Sequence, residues 1–102
     1  MKRYAIFGVG GCGRGVMPLA RQQLQPALNK GEAELVFVDD RPPASQVNGQ
    51  RVLTYAEWMA EPAGSRHVCI AIANSQIRQR LALQCAAEGI SFFEVRAANV
   101  VQ

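Results

Sequence analysis

The run Gly8-Val9-Gly10-Gly11-Cys12-Gly13 fits the spacing G-x-G-x-x-G, and it stands between an apolar β-prone stretch, Tyr4 to Phe7, and an amphipathic segment beginning at Arg14. In that setting each glycine has its own use. Gly8 permits a tight turn, Gly10 lets backbone N–H groups approach a diphosphate, and Gly13 lets the following helix pack close on its strand. The N-terminus of that helix adds roughly half an elementary unit of positive charge. Five glycines fall among the eight residues from Gly8 to Gly15. Such crowding is costly in chain entropy, and close approach to a ligand is the natural compensation.

Asp39 and Asp40 close a second apolar run, Leu35 to Val38, at the place where an acidic residue accepts hydrogen bonds from a ribose. Asp39, as the residue closing the strand, is the better placed of the two. Arg41 beside them would suit a 2′-phosphate, but the adjacent carboxylates disfavour it. Asn74 and Ser75 follow a later apolar run, His67 to Ala73. Asn74 serves there as a helix N-cap, as a hydrogen-bonding group toward a base, sugar or phosphate, or as both. His67, the single histidine, falls at the amino end of its strand, opposite the ligand edge, and reads as structural; Trp58 reads as a core anchor. No Ser-His-Asp set, catalytic carboxylate pair or metal cluster can be assembled, so no catalytic residue is assigned. Cys12, Cys69 and Cys85 are odd in number and lack a CxxC pairing, which points to neither disulfides nor zinc.

These groups need elements to hold them. Strands are predicted over Tyr4 to Phe7, Leu35 to Val38, a short edge at Arg51 to Thr54, His67 to Ala73, and Ile90 to Val95. Val16, Leu19, Ala20, Leu24 and Leu28 recur at near-helical spacing, predicting a helix from Arg14 to about Leu28. Within it Pro18 is tolerable only near the start, and Pro26 must end the helix, kink it or begin a further turn. A short helix follows at Tyr55 to Ala60, stopped by Pro62 and Gly64. A third begins at Asn74 and repeats Ile77, Leu81 and Cys85 until Gly89. Arg41 to Gln50, with two adjacent prolines and Asn48-Gly49, reads as a loop, and Ala97 to Gln102 as a lead-out. This alternation predicts an α/β fold: a Rossmann-like parallel sheet of order 3-2-1-4-5 flanked by helices. Ligands would bind where the order reverses, at the loops after strands one and four.

At 102 residues the chain has room for one domain, spanning 1–102, and its 49% apolar and 19% charged residues are those of an ordinary globular protein. No apolar run reaches the roughly 18 residues that span a bilayer. The two cations near Met1 precede a strand rather than a signal peptide, so a cytoplasmic location without membrane insertion is expected. The net charge of +3 comes from scattered arginines and suits a small anionic ligand better than a nucleic acid.

The glycine turn, the VFVDD segment and the IAIANSQIRQRL segment together resemble the N-terminal domain of sugar acetyltransferases of the PglD/NeuD type, over essentially the whole chain. The resemblance implies a UDP-linked amino sugar bound by Gly8, Gly10, Gly11, Cys12, Gly13, Asp39, Asp40, Ala73 and Asn74, in the service of surface-polysaccharide assembly. It further implies that acetyl-CoA and the catalytic histidine belong to a following β-helix of hexapeptide repeats, leaving this chain without a cofactor of its own. The chain is then expected to be a truncated piece or a stand-alone binding domain, and a monomer or weak dimer. Cys12 stands where that family usually carries histidine, which alters the contact at the sugar end. On the residues alone two other readings stay open: an NAD(H)-binding domain, which shares the glycine fingerprint, and an interaction module of the same fold without a ligand.

Overall fold

The computed structural model describes residues 1–95. Along the chain it forms β1 (Lys2–Phe7), α1 (Gly11–Asn29), β2 (Ala33–Val38), β3 (Gln46–Val47), β4 (Gln50–Leu53), α2 (Tyr55–Ala60), β5 (Ser65–Ile70), α3 (Ser75–Ala87) and β6 (Ser91–Phe92). The six described strands make one sheet of order β3-β4-β2-β1-β5-β6, parallel throughout except for the β3–β4 pair.

The Rossmann-like class is as expected, and the strand order departs from 3-2-1-4-5 by one added edge strand. That strand, β3, pairs antiparallel with β4 through Gln46 and Val47. Its cause is the Asn48-Gly49 pair, where the sequence suggests plain loop. Both residues hold positive φ, 51° and 78°, the requirement of a two-residue turn whose twist matches a hairpin.

Boundaries also shift. α1 begins at Gly11 and runs to Asn29 through both Pro18 and Pro26. Both prolines are exposed, so the carbonyls they leave without an N–H partner can be met by water, and the helix runs past Pro26 to Asn29, one residue beyond the expected Leu28. β5 starts two residues before His67 and ends at Ile70, which releases Ala71 to Asn74 into a loop. The last strand is confined to Ser91 and Phe92. The predicted lead-out from Ala97 lies outside the described residues.

The central strands are apolar on both faces because both are covered. Ala5, Phe7, Val36, Val38 and Val68 pack with Trp58, Cys85 and Ile90 beneath α2 and α3. Ile6, Leu35 and Phe37 alternate to the other face and meet Met17 and Ala20 of α1. Trp58 is fully buried, its ring at 5.7 Å and 83° from Phe7, as an anchor of this core. Toward the amino ends, Arg3 and Arg51 share Glu34 at 2.8 and 3.1 Å, and Arg51 also reaches Glu61 at 3.2 Å. These charges join β1, β2, β4 and the end of α2, far from the edge where the loops open.

Strand register decides that edge. Phe7 of β1 lies level with Val38 of β2 and with Ile70 of β5. Three loops therefore leave the sheet side by side, beginning at Gly8, Asp39 and Ala71.

α1 seats on β1 at one contact that admits no side chain. A Cβ on Gly13 would stand 1.8 Å from the Gly8 carbonyl oxygen, whereas at Gly15, one half-turn on, it would meet open space. Gly13→Ala should therefore cost roughly 3 kcal/mol in urea denaturation, while Gly15→Ala should gain about 0.5–1 kcal/mol from helix propensity. His67 gives a second expectation. Its ring stacks on Tyr4 at 4.7 Å and shares a hydrogen bond with Ser65 Oγ, and burial, with Lys2 adding to it, holds the imidazole below its ordinary range. The unfolded chain then takes its proton at higher pH than the folded one, so stability is level above the ordinary histidine value and falls as the pH drops below about 6.5. Denaturation midpoints at stepped pH should show this decline, and His67→Phe should flatten it.

Candidate functional site

Gly8 leaves β1 with its N–H bonded to the Val38 carbonyl at 2.9 Å and with φ of +105°. A Cβ there would press on Ala71 O at 2.9 Å and on Ile72 Cγ1 at 3.0 Å, so the turn is wedged between the ends of β2 and β5. Val9 then points into the core, and Gly10 becomes the N-cap of α1 in extended backbone, its carbonyl accepting from Arg14 N at 2.9 Å.

The start of α1 is bare where the other helices are closed. α2 is capped by a reciprocal box between Thr54 and Glu57, and α3 by Asn74, whose Oδ1 accepts from the amides of Gln76 and Ile77, both at 3.0 Å. α1 has no side-chain cap and no acidic residue in its first turn. Gly10, Gly11 and Cys12 are exposed, and nothing lies within 4 Å of where a Cβ would stand on Gly10 or Gly11. The amides at this end, with the helix dipole behind them, form a ready seat for an anion. Arg14 turns back over the same turn, its Nε donating to the Val9 carbonyl at 2.9 Å.

The two carboxylates brace the loops around this seat. Asp39 Oδ2 accepts from Val9 N at 3.3 Å and Oδ1 from Arg41 N at 2.9 Å, so one side chain ties the glycine turn to the loop after β2. Asp40 Oδ1 accepts from Tyr55 N at 3.0 Å and thereby holds the first residue of α2. Each carboxylate oxygen retains a further lone pair for a hydroxyl group.

Gly8, Asp39 and Asp40 share one crevice of about 410 Å³, with Arg41 on its rim. Gly10, Gly11, Cys12 and Gly13 form the adjoining turn. Ala73 and Asn74 are exposed beside the crevice and do not line it. Asn74 carries out the capping half of its expected role, and its Nδ2 is not used in that cap. Sequence reasoning missed the crevice wall, which is Tyr55, Ile72, Ile77 and Leu81. The available signal was Ile77: it follows helical core spacing, yet it stands 42% exposed. A hollow of about 470 Å³ between α3 and β6 is slightly larger, but it has no carboxylate and lies away from the glycine turn, so chemistry favours the smaller one.

The Tyr55 phenol donates to Glu88 Oε2, and burial together with that carboxylate keeps its proton on well beyond the ordinary phenol range. Burial raises the Cys69 thiol and pushes Cys85 up to about 11; neither lines this crevice. Among the described residues no group of three or more His, Cys, Asp and Glu side chains is placed to hold a metal ion.

Known proteins resemble this chain in both fold and sequence. The family described as "PglD N-terminal domain" matches residues 3–85. The chain is 35% identical over 101 residues to GDP-perosamine N-acetyltransferase of Escherichia coli O157:H7, covering 99% of this chain and 45% of that protein. The solved structure of WeeI from Acinetobacter baumannii AYE superposes with a TM-score of 0.86 at 35% identity, covering 97% of this chain and 45% of the other. The chain thus spans less than half the length of both relatives.

The bracing carboxylates should be separable by stability. Asp39→Ala removes the acceptor of two backbone amides and should cost about 1–3 kcal/mol. Asp40→Ala loses one exposed contact at the start of α2 and should cost about 1 kcal/mol or less. Urea midpoints of the two variants test the order.

Proposed function

The chain belongs to the PglD N-terminal domain family, and from that premise we propose that it binds a nucleoside-diphosphate-linked amino sugar as the substrate-binding part of a sugar acetyltransferase of surface-glycan assembly. The observation that carries this reading is the bare start of α1: exposed glycine amides without a cap, beside a carboxylate that closes the neighbouring strand. The diphosphate sits on the amides around Gly10, Gly11, Cys12 and Gly13, and the Asp39–Asp40 pair faces the ribose hydroxyls. Cys12, exposed at the first turn, stands toward the sugar, with Ala73 and Asn74 on the far side.

In this reading the chain only holds the activated sugar. The acetyl donor, acetyl-CoA, and the base that activates the sugar amine are supplied by a partner domain. The site of action is the cytoplasm; in the described residues no helix is long and apolar enough to cross a membrane. The nucleotide itself has two readings. Family resemblance favours UDP, while a relative 35% identical is named for a GDP-linked sugar, and that name supports GDP as the second.

Calorimetric titration of the folded chain with UDP, GDP, their amino-sugar conjugates and NADH tests the proposal. At least one of the nucleoside diphosphates or their sugars should bind saturably. Gly10→Asp is the informative variant, because the extended backbone at Gly10 and the open space around it accept a side chain. The new carboxylate should leave stability unchanged or raise it by roughly a few tenths of a kcal/mol as an N-cap, yet weaken nucleotide binding roughly tenfold or more by taking the place of phosphate. Failure of every diphosphate ligand to bind, or NADH binding that UDP and GDP do not displace, would overturn the proposal.

A further inference from the structure

We propose that Arg14, Arg41 and Arg78 form a cationic collar at the carboxyl edge of the sheet, which draws the diphosphate-bearing anion out of solution and holds it against the glycine turn. This rests on the reading that the turn seats a diphosphate, and it adds three side chains to which that reading gives no part.

The arginines come one from each segment that leaves the edge. Arg14 follows β1 and the glycine turn, and its Nε donates to the Val9 carbonyl at 2.9 Å. Arg41 follows β2; Asp39 Oδ1 holds its backbone N–H, and Arg41 lines the crevice. Arg78 follows β5, and its Nη1 reaches back to the carbonyl of Ile72, a residue of the crevice wall, at 3.5 Å. Arg78 also borders the hollow beside β6. All three arginines are exposed.

Local rules would put these cations elsewhere. Arg14 is the fourth residue of α1 and Arg78 the fourth of α3, and neither helix has an acid in its first turn. A positive side chain there opposes the partial positive charge of the helix start, where a carboxylate such as Glu57 of α2 is the stabilising choice. Nor does the fold neutralise the three. The ion pairs among the described residues join Arg3 and Arg51 to Glu34 and Glu61 at the amino edge. Asp39 and Asp40 are engaged with backbone amides, and on these segments the arginines outnumber them. An anion that settles among the arginines relieves their repulsion with the helix starts, so a placement that destabilises the free protein favours the bound one.

Capture of this kind needs no fixed geometry at a distance. Guanidinium groups on long stems attract a dianion over a Debye length of about 8–10 Å, and on arrival they pair with phosphate oxygens in forked hydrogen bonds. The backbone amides of the turn then fix where the diphosphate rests.

Calorimetry with UDP and GDP at low and high NaCl, on wild type, Arg14→Gln, Arg41→Gln, Arg78→Gln, the triple variant and Arg80→Gln, tests the collar. Glutamine matches arginine in helix propensity, and Arg41→Gln, which breaks no side-chain bond among the described residues, carries the test if another variant fails to fold. Each collar substitution should weaken the nucleoside diphosphate that wild type binds by roughly two- to fivefold. The triple variant should lose on the order of tenfold or more, and its affinity should respond less to salt than that of wild type. Arg80 is exposed and stands roughly 200° around α3 from Arg78, so Arg80→Gln removes the same charge and should leave binding unchanged. The collar is overturned if Arg41→Gln and the other folded collar variants bind as tightly as wild type, or if Arg80→Gln weakens binding as much as they do; the diphosphate reading survives either result. If wild type binds neither nucleotide, both readings fall.

Discussion

The approach of α1 to the end of β1 is the constraint on which the other features depend. At Gly13 the helix lies so close to the Gly8 carbonyl that a single methyl group would overlap it. That contact fixes where α1 starts and how its axis points, and so aims its first amides at the carboxyl edge of the sheet. The level ends of β1, β2 and β5 then bring the loops after Phe7, Val38 and Ile70 to the same edge. An anion seat and a carboxylate pair become neighbours through backbone geometry, before any side chain is chosen.

The carboxylates show how few groups organise the edge. Asp39 ties the glycine turn to the β2–β3 connection, and Asp40 ties the same connection to α2. Around the crevice these bonds run from side chain to backbone, so the loops hold their shape without regular secondary structure. Beyond the last backbone bonds of the edge, Gly8 N–H to Val38 O, Asp39 N–H to Leu53 O and Ala71 N–H to Phe7 O, three charge-assisted ones hold the loops.

Much of this was legible in the residues, and the exceptions share physical reasons. The glycine turn, the acid pair and the Asn74 cap could be read because each is a local requirement: a backbone conformation or a cap belongs to its own few residues. β3 was missed because Asn48-Gly49 marks both open loops and tight hairpins, and only the presence of β4 beside it decides. The far end of α1 could be placed only approximately, because the damage Pro26 does depends on whether the orphaned carbonyl faces water. The crevice wall was hidden for a deeper reason. Ile77 and Leu81 obey the same four-residue spacing as Cys85, and periodicity tells which face of a helix is apolar without telling whether protein or ligand covers it.

The uncapped start of α1 ties occupancy of the site to the integrity of the fold. Gly10 offers the first turn no side-chain oxygen, so an anion settling there would complete the helix as a serine or aspartate does elsewhere. Filling the crevice and resisting unfolding then draw on one free energy, by mass action. Any anion held there would keep this end of the domain out of reach of proteases, and its departure would let the first helix fray.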